Sequence, residues 1–144
     1  MNKQQLLLEN QLCHRLYMAN NTITRSYRPL LEQLDLTYPQ YLVMMALWQE
    51  DNVTVTQLQK RTQIDSGALT LILKKMQEKT LLRTEGLATD KRKKHVMLTQ
   101  NGRALQAEAA AIPETMRCQY PQLLDDDLEQ LKGLLDKLLA KVDD

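Results

Sequence analysis

The sequence predicts a mainly α-helical chain with a small β-hairpin wing, and three observations carry that prediction. Leu and Met are plentiful, Phe is absent and there is one Trp. Four Gly and four Pro are too few for a turn-rich all-β fold. Two short capped helices follow one another across residues 54–76, and two apolar strands with a basic tip come straight after them. Helix, turn, helix and hairpin in that order make a winged helix-turn-helix. At 144 residues the chain has room for one domain. Residues 36–99 would form the winged part, with residues 1–35 and 100–144 as dimerisation helices.

The elements follow in order. Over roughly 3–35, Leu12, Leu16, Ala19, Ile23, Tyr27, Leu30 and Leu34 recur at three- and four-residue steps. That spacing is a single apolar stripe on a long helix, with a kink expected at Pro29. Thr37-Tyr38-Pro39-Gln40 reads as a capping box with Pro in the first turn. The helix it opens is apolar nearly all round through Trp48, and so is buried. Thr54 and Gln57 form a second capping box, and Asp65-Ser66 supplies N-caps for a helix over 67–76. Leu81–Glu85 and Lys94–Leu98 read as wing strands, with Val96 and Leu98 on one face. Thr99 to Gly102 caps an Ala-rich helix that Pro113 interrupts. A last helix begins near Asp125, with Leu128, Leu131, Leu134, Leu135, Leu138, Leu139 and Val142 in helical register. Its three leading Asp residues suit the positive end of the helix.

Charge points to a partner. The net charge is only +1, but residues 60–103 hold eleven Lys or Arg against four Asp or Glu. That local +7 leaves −6 for the rest of the chain, the footprint of a duplex-DNA reader between acidic flanks. Taken alone, Lys91 to Lys94 would be a solvated turn; behind a helix-turn-helix, a DNA-contacting wing is the better reading. On the second reader helix, Leu69, Ile72, Leu73 and Met76 should face inward, leaving Gly67, Thr70, Leu71, Lys74, Lys75 and Glu78 outward. Ser66 and Thr70 can bond base edges or phosphate, and Lys74 and Lys75 can reach phosphates or guanine acceptors. Leu71 suits a thymine methyl, or is an ordinary exposed leucine. Arg92 fits the minor groove, with Asp90 orienting it.

Other classes are disfavoured. No run approaches the ~18 apolar residues of a membrane span, and the N-terminus lacks a signal-peptide core, so a cytoplasmic location is expected. Cys13 and Cys118 lie 105 positions apart and form no Cys-x-x-Cys pair. With only His14 and His95 to join them, no metal set and no cofactor is expected, and thiol chemistry is the remaining role. A lone Cys in an apolar helix is usually a small buried hydrophobe. Both terminal helices are amphipathic with little to bury against, which favours a homodimer, the alternative being that they fold back as core.

Asp65-Ser66-Gly67-Ala68-Leu69-Thr70, followed by Asp90-x-Arg92 ahead of Leu98-Thr99 and Gly102, resembles the MarR family of winged-helix regulators. Leu6 through Cys13, Tyr27-Arg28-Pro29-Leu30-Leu31 and Leu36 through Leu42 are similar to its organic hydroperoxide resistance branch. The resemblance covers nearly the whole chain. It implies a dimeric repressor whose peroxide-sensing thiol is Cys13, with Tyr27 and Tyr38 contacting that thiol and Tyr17 a further aromatic nearby. It also implies that Cys118 is a possible resolving thiol. Members lacking a second cysteine form mixed disulfides with small thiols instead. Cys13 and Tyr27 are fourteen residues apart, about 21 Å along one straight helix. A Tyr27 that tunes Cys13 therefore comes most simply from the other subunit.

The leading expectation is a repressor that releases a near-palindromic operator when an organic hydroperoxide oxidises Cys13. One alternative keeps the fold but relieves repression through a small phenolic or anionic ligand. A second is a thiol peroxidase, which would leave the basic reader unexplained.

Overall fold

A computed structural model of the chain describes residues 3–86 and 89–140. Leu87 and Ala88 of the expected hairpin tip, and Val142 of the last apolar stripe, lie outside the described residues. The chain divides into two compact units, one through Ala110 and one from Ala111.

The first unit opens with two short 3-10 turns, Lys3–Leu6 and Leu8–Asn10, before helix α1 at Leu12–Glu32. The long first helix thus starts at Leu12, not near residue 3. The side-chain amides of the preceding residues explain the delay. Asn10 Nδ2 donates to the Gln4 carbonyl at 2.7 Å, and Gln11 Nε2 to those of Gln5 and Leu7 at 2.7 and 2.8 Å. These local bonds capture carbonyls that a helix would use. Downstream, α1 continues through Pro29 to Glu32 and ends with Asp35 in the left-handed region, where the Leu36 N–H donates back to the Leu31 carbonyl.

Helix α2, Tyr38–Gln49, carries the expected capping box: Thr37 Oγ1 accepts from the Gln40 N–H and Gln40 Oε1 from the Thr37 N–H. It is the centre of the core, with Tyr41, Val43, Met44, Ala46 and Leu47 buried. Strand β1, Val53–Thr54, runs into α3, Val55–Thr62, through the second expected capping box, Thr54 with Gln57. Helix α4 is Ser66–Glu78 and is capped by Asp65. The wing strands are β2, Leu82–Glu85, and β3, His95–Leu98. They pair antiparallel with Leu82 opposite Leu98 and Glu85 opposite His95.

The sheet is one strand larger than the expected hairpin. Val53 pairs with Val96 and Thr54 with His95, giving the order β1-β3-β2. Two residues are too short a run to show the strand alternation in sequence. Helix α5, Gln100–Ala109, is capped by Thr99 and closes the unit. The backbone of α5 approaches Leu81 so closely at Gly102 that a Cβ there would overlap the Leu81 carbonyl oxygen.

In the second unit, Pro113 stands in the first turn of α6, Ile112–Cys118, so the interruption expected there is a new helix start. Helix α7, Asp125–Ala140, begins with its three Asp residues and has no buried residue. Arg117 clamps the turn between them, donating to the carbonyls of Tyr120 and Leu123 and to Asp125 Oδ1 at 3.1 Å. No described helix is long and apolar enough to cross a membrane.

Candidate nucleic-acid interface and thiol site

Helix α4 divides as its spacing predicts. Leu69, Leu73 and Met76 are buried and Ile72 half-buried, while Gly67, Thr70, Leu71, Lys74, Lys75 and Glu78 are exposed. Asp65 holds the start of the helix by accepting from the Gly67 N–H at 3.2 Å. Ser66 is engaged from the wing: Lys91 Nζ donates to its Oγ at 2.6 Å. The Ser66 hydroxyl proton is left for another acceptor. Thr70 Oγ1 donates to the Ser66 carbonyl at 3.1 Å, the usual back-bond of a threonine inside a helix.

The wing is built on Asp90. Its carbonyl accepts from the N–H groups of Lys93 and Lys94, both at 3.0 Å. Its Oδ1 accepts from the Arg92 N–H at 3.0 Å and stands 3.5 Å from Arg92 Nε. The Asp90 side chain is 27% exposed and that of Arg92 83%. The carboxylate in the turn thus lies beside a projecting guanidinium. Wing and reader are joined by backbone as well. The Val55 N–H donates to the Lys94 carbonyl at 3.0 Å and the Thr56 N–H to that of Lys91 at 3.4 Å.

Cys13 is an exposed free thiol in the first turn of α1. Tyr17, one turn further along, shares its face and is 66% exposed. Tyr27 lies near the other end of the same helix. It meets Tyr38 instead, with ring centroids 5.1 Å apart and planes at 46°. Within one chain Tyr27 and Tyr38 thus come together, and Tyr27 is a helix-length from Cys13. A third ring completes the cluster and was missed in the sequence: Tyr41 is 5.8 Å from Tyr27 and 6.5 Å from Tyr38. Its i+3 relation to Tyr38 was the available signal. Burial pushes the hydroxyl ionisation of Tyr38 and Tyr41 above the ordinary value, and for Tyr41 the neighbouring Tyr38 adds to it. Cys118 is an exposed free thiol at the end of α6, in the second unit.

A comparison with known proteins decides the family. The profile of the MarR family matches residues 36–94. The organic hydroperoxide resistance transcriptional regulator of Bacillus subtilis (strain 168) is 39% identical over 132 residues, spanning 92% of this chain and 89% of its own length. The chain belongs to the MarR family. As a MarR-type transcriptional regulator it also shares its fold with AbfR of Staphylococcus epidermidis. Reduced AbfR bound to DNA matches over 99% of both chains, with 29% identity and a TM-score of 0.76. Disulfide-formed AbfR matches over 96% of this chain and 97% of its own, with 31% identity and a TM-score of 0.64.

Proposed function

We propose that this MarR-family regulator is a homodimeric DNA-binding repressor that leaves its operator when an organic hydroperoxide oxidises Cys13. The observation that carries the reading is the exposed Cys13 thiol at the start of α1, in a chain so similar to a hydroperoxide resistance regulator. The thiolate is the form of a cysteine that attacks peroxide. Its sulfur takes the distal oxygen: the S–O bond forms, the O–O bond breaks, and the alkoxide leaves to be protonated to the alcohol. The sulfenic acid then condenses with a second thiol, Cys118 or a small cellular thiol, giving a disulfide and water. AbfR, which shares the fold, has been captured both reduced on DNA and as a disulfide, in support of such a cycle.

On the output side, Thr70, Leu71, Lys74 and Lys75 of α4 face the major groove, Ser66 bonds a base edge or phosphate, and Arg92 enters the minor groove with Asp90 orienting it. The tyrosines of one protomer act on Cys13 of the other, because Tyr27 and Tyr38 stand far from the thiol of their own chain. The exposed apolar side chains of α1 and α7, among them Leu12, Ile23, Leu131, Leu134 and Leu138, support the dimer this needs.

The test is a DNA-shift titration with an organic hydroperoxide, followed by mass analysis of both cysteines. Wild-type protein releases the operator as Cys13 is oxidised, and Cys13→Ser stays bound at the same peroxide. Release of Cys13→Ser at the wild-type dose would defeat the redox reading. That outcome would favour a small anionic or phenolic ligand, for which a cavity of about 640 Å³ between α1 and α2 offers Arg28, Thr24 and Tyr38.

A further inference from the structure

We infer that Lys79 is a positioning residue that touches no DNA: it ties the end of the reader helix α4 to the α1–α2 turn and to the tyrosine-bearing first turn of α2. The inference rests on the reading of α4 as the DNA reader and adds what holds that reader in place. Lys79 stands just past the last turn of α4, where a lysine ordinarily serves the free carbonyls of its own helix. Its ammonium turns to another element instead. It donates to the Asp35 carbonyl at 2.5 Å and to Gln40 Oε1 at 2.9 Å, and stands 3.7 Å from Asp35 Oδ1. An ammonium has three donors and no acceptor, so this set engages it fully and leaves no donor for a phosphate. Gln40 is a buried polar side chain in the apolar core, 3% exposed. Its Oε1 also accepts from the Thr37 N–H at 3.1 Å, as half of the α2 capping box. Lys79 therefore shares the oxygen that starts α2, in the turn that carries Tyr38 and Tyr41.

Both ends of this link are stiff. At the end of α1 the Leu36 N–H donates to the Leu31 carbonyl and the Asp35 N–H to that of Glu32. At the end of α4 the Leu81 N–H donates to the Met76 carbonyl and the Thr80 N–H to that of Gln77. These paired hydrogen bonds close a helix through one left-handed residue, most often glycine. Here the two left-handed residues are Asp35, at φ 54°, and Thr80, at φ 61°. A β-branched residue keeps that conformation only where its surroundings over-determine it. Thr80 meets that condition: its carbonyl accepts from Thr99 Oγ1, and its Oγ1 accepts from Asn101 Nδ2 at 3.0 Å. The end of α4 is thus pinned to the start of α5 on one side and, through Lys79, to the α1–α2 turn on the other. Burial of Leu69, Leu73 and Met76 holds α4 to the core without direction. The Lys79 bonds have direction and fix where the helix end lies. A displacement of the tyrosine-bearing turn is therefore passed to the reader and not absorbed between them.

The experiment replaces tyrosine by fluorotyrosine throughout the full chain and follows the fluorine resonances of Tyr38 and Tyr41, assigned through Tyr38→Phe and Tyr41→Phe. The probe is a duplex selected by wild type from a random pool, with a scrambled duplex beside it. Wild type is compared with Lys79→Met, which keeps the length of the stem and removes its charge and donors. On binding the selected duplex, both resonances shift in wild type and stay at their free positions in Lys79→Met. Lys79→Met also loses about tenfold in preference for the selected over the scrambled duplex, an ordinary size for coupling between sites. Its slope of log affinity against log salt is unchanged, because no phosphate contact is lost. Thermal melting checks that the variant is folded. Asp35→Asn, which suits the left-handed turn and removes only the carboxylate, moves both readings the same way by less and carries the test if Lys79→Met does not fold. Resonances that shift alike in wild type and variant, or an unchanged preference, overturn the link. A slope lowered by about 1 also overturns it, since Lys79 is then a phosphate contact. Wild type that binds duplex with both resonances unmoved overturns the link and leaves the DNA reading standing. Wild type that binds no duplex overturns both.

Discussion

Three tyrosines from two helices form the most informative small cluster. Tyr38 and Tyr41 are held above the ordinary phenol value of 10.0, by burial first and for Tyr41 also by Tyr38. A hydroxyl raised in the fold ionises first in the unfolded chain. Its contribution to stability is therefore whole below pH 10 and is lost as pH rises from there through the folded value. Near neutrality both hydroxyls keep their protons. An alkaline titration followed by phenolate absorbance should show these two residues ionising later than free tyrosine, with resistance to denaturant falling above about pH 10. Tyr38→Phe removes the like charge and should bring Tyr41 to a lower midpoint. An unmoved Tyr41 would mean that the rings touch without electrostatic coupling. The same scale explains Asp90, an acid in a basic tip that stands 3.5 Å from Arg92 Nε, a pairing two residues of sequence suffice to suggest.

At the scale of elements, local signals were accurate wherever the stabilising bond is local. Both capping boxes, the Asp65 cap and the Thr99 cap formed as spaced, because each joins residues two or three apart. The apolar face of α4 followed the helical repeat for the same reason. The start of α1 escaped because Asn10 and Gln11 reach back six residues to carbonyls that periodicity ignores. Strand β1 escaped because its partner lies more than forty residues downstream. Gly102 shows how tightly these elements are joined. Its N–H donates to Thr99 Oγ1, its carbonyl accepts from Trp48 Nε1 at 2.9 Å, and its missing side chain admits the Leu81 carbonyl. Since backbone cannot yield as a side-chain tip does, Gly102→Ala should cost about 1–3 kcal/mol in denaturant unfolding. Destabilisation no larger than that of an exposed alanine substitution on α5 would show that the backbone relaxes freely.

For the whole molecule, the decisive feature is the large apolar side chains that are exposed among the described residues. Leu12 is 59% exposed, Leu134 63% and Leu139 61%. Side chains of this size, repeated at helical spacing on α1 and on α7, are the surface that the proposed homodimer would cover. Sedimentation of the native protein should give twice the chain mass. Charged substitution of Leu134 and Leu138 together should yield the single chain and weaken binding to a two-half-site operator far more than to one half-site. A dimer that survives the double substitution would move the interface away from α7. With two readers, the half-sites should sit about 34 Å apart, one turn of duplex.

What the sequence alone determined was the fold class, the caps, the two faces of α4, the basic middle and the resemblance that singles out Cys13. All of these depend on residue type and short spacing, which the chain displays directly. Tertiary structure alone decided that Tyr41 joins Tyr27 and Tyr38, that Lys91 reaches across to Ser66, and that β1 completes the sheet. Those contacts link residues distant in the chain, and their energy depends on where packing of the core on α2 brings each element. The basic run of the wing is the clearest case. Lys91 to Lys94 were visible as a run in sequence, but only the approach of wing to α4 brings Lys91 to Ser66.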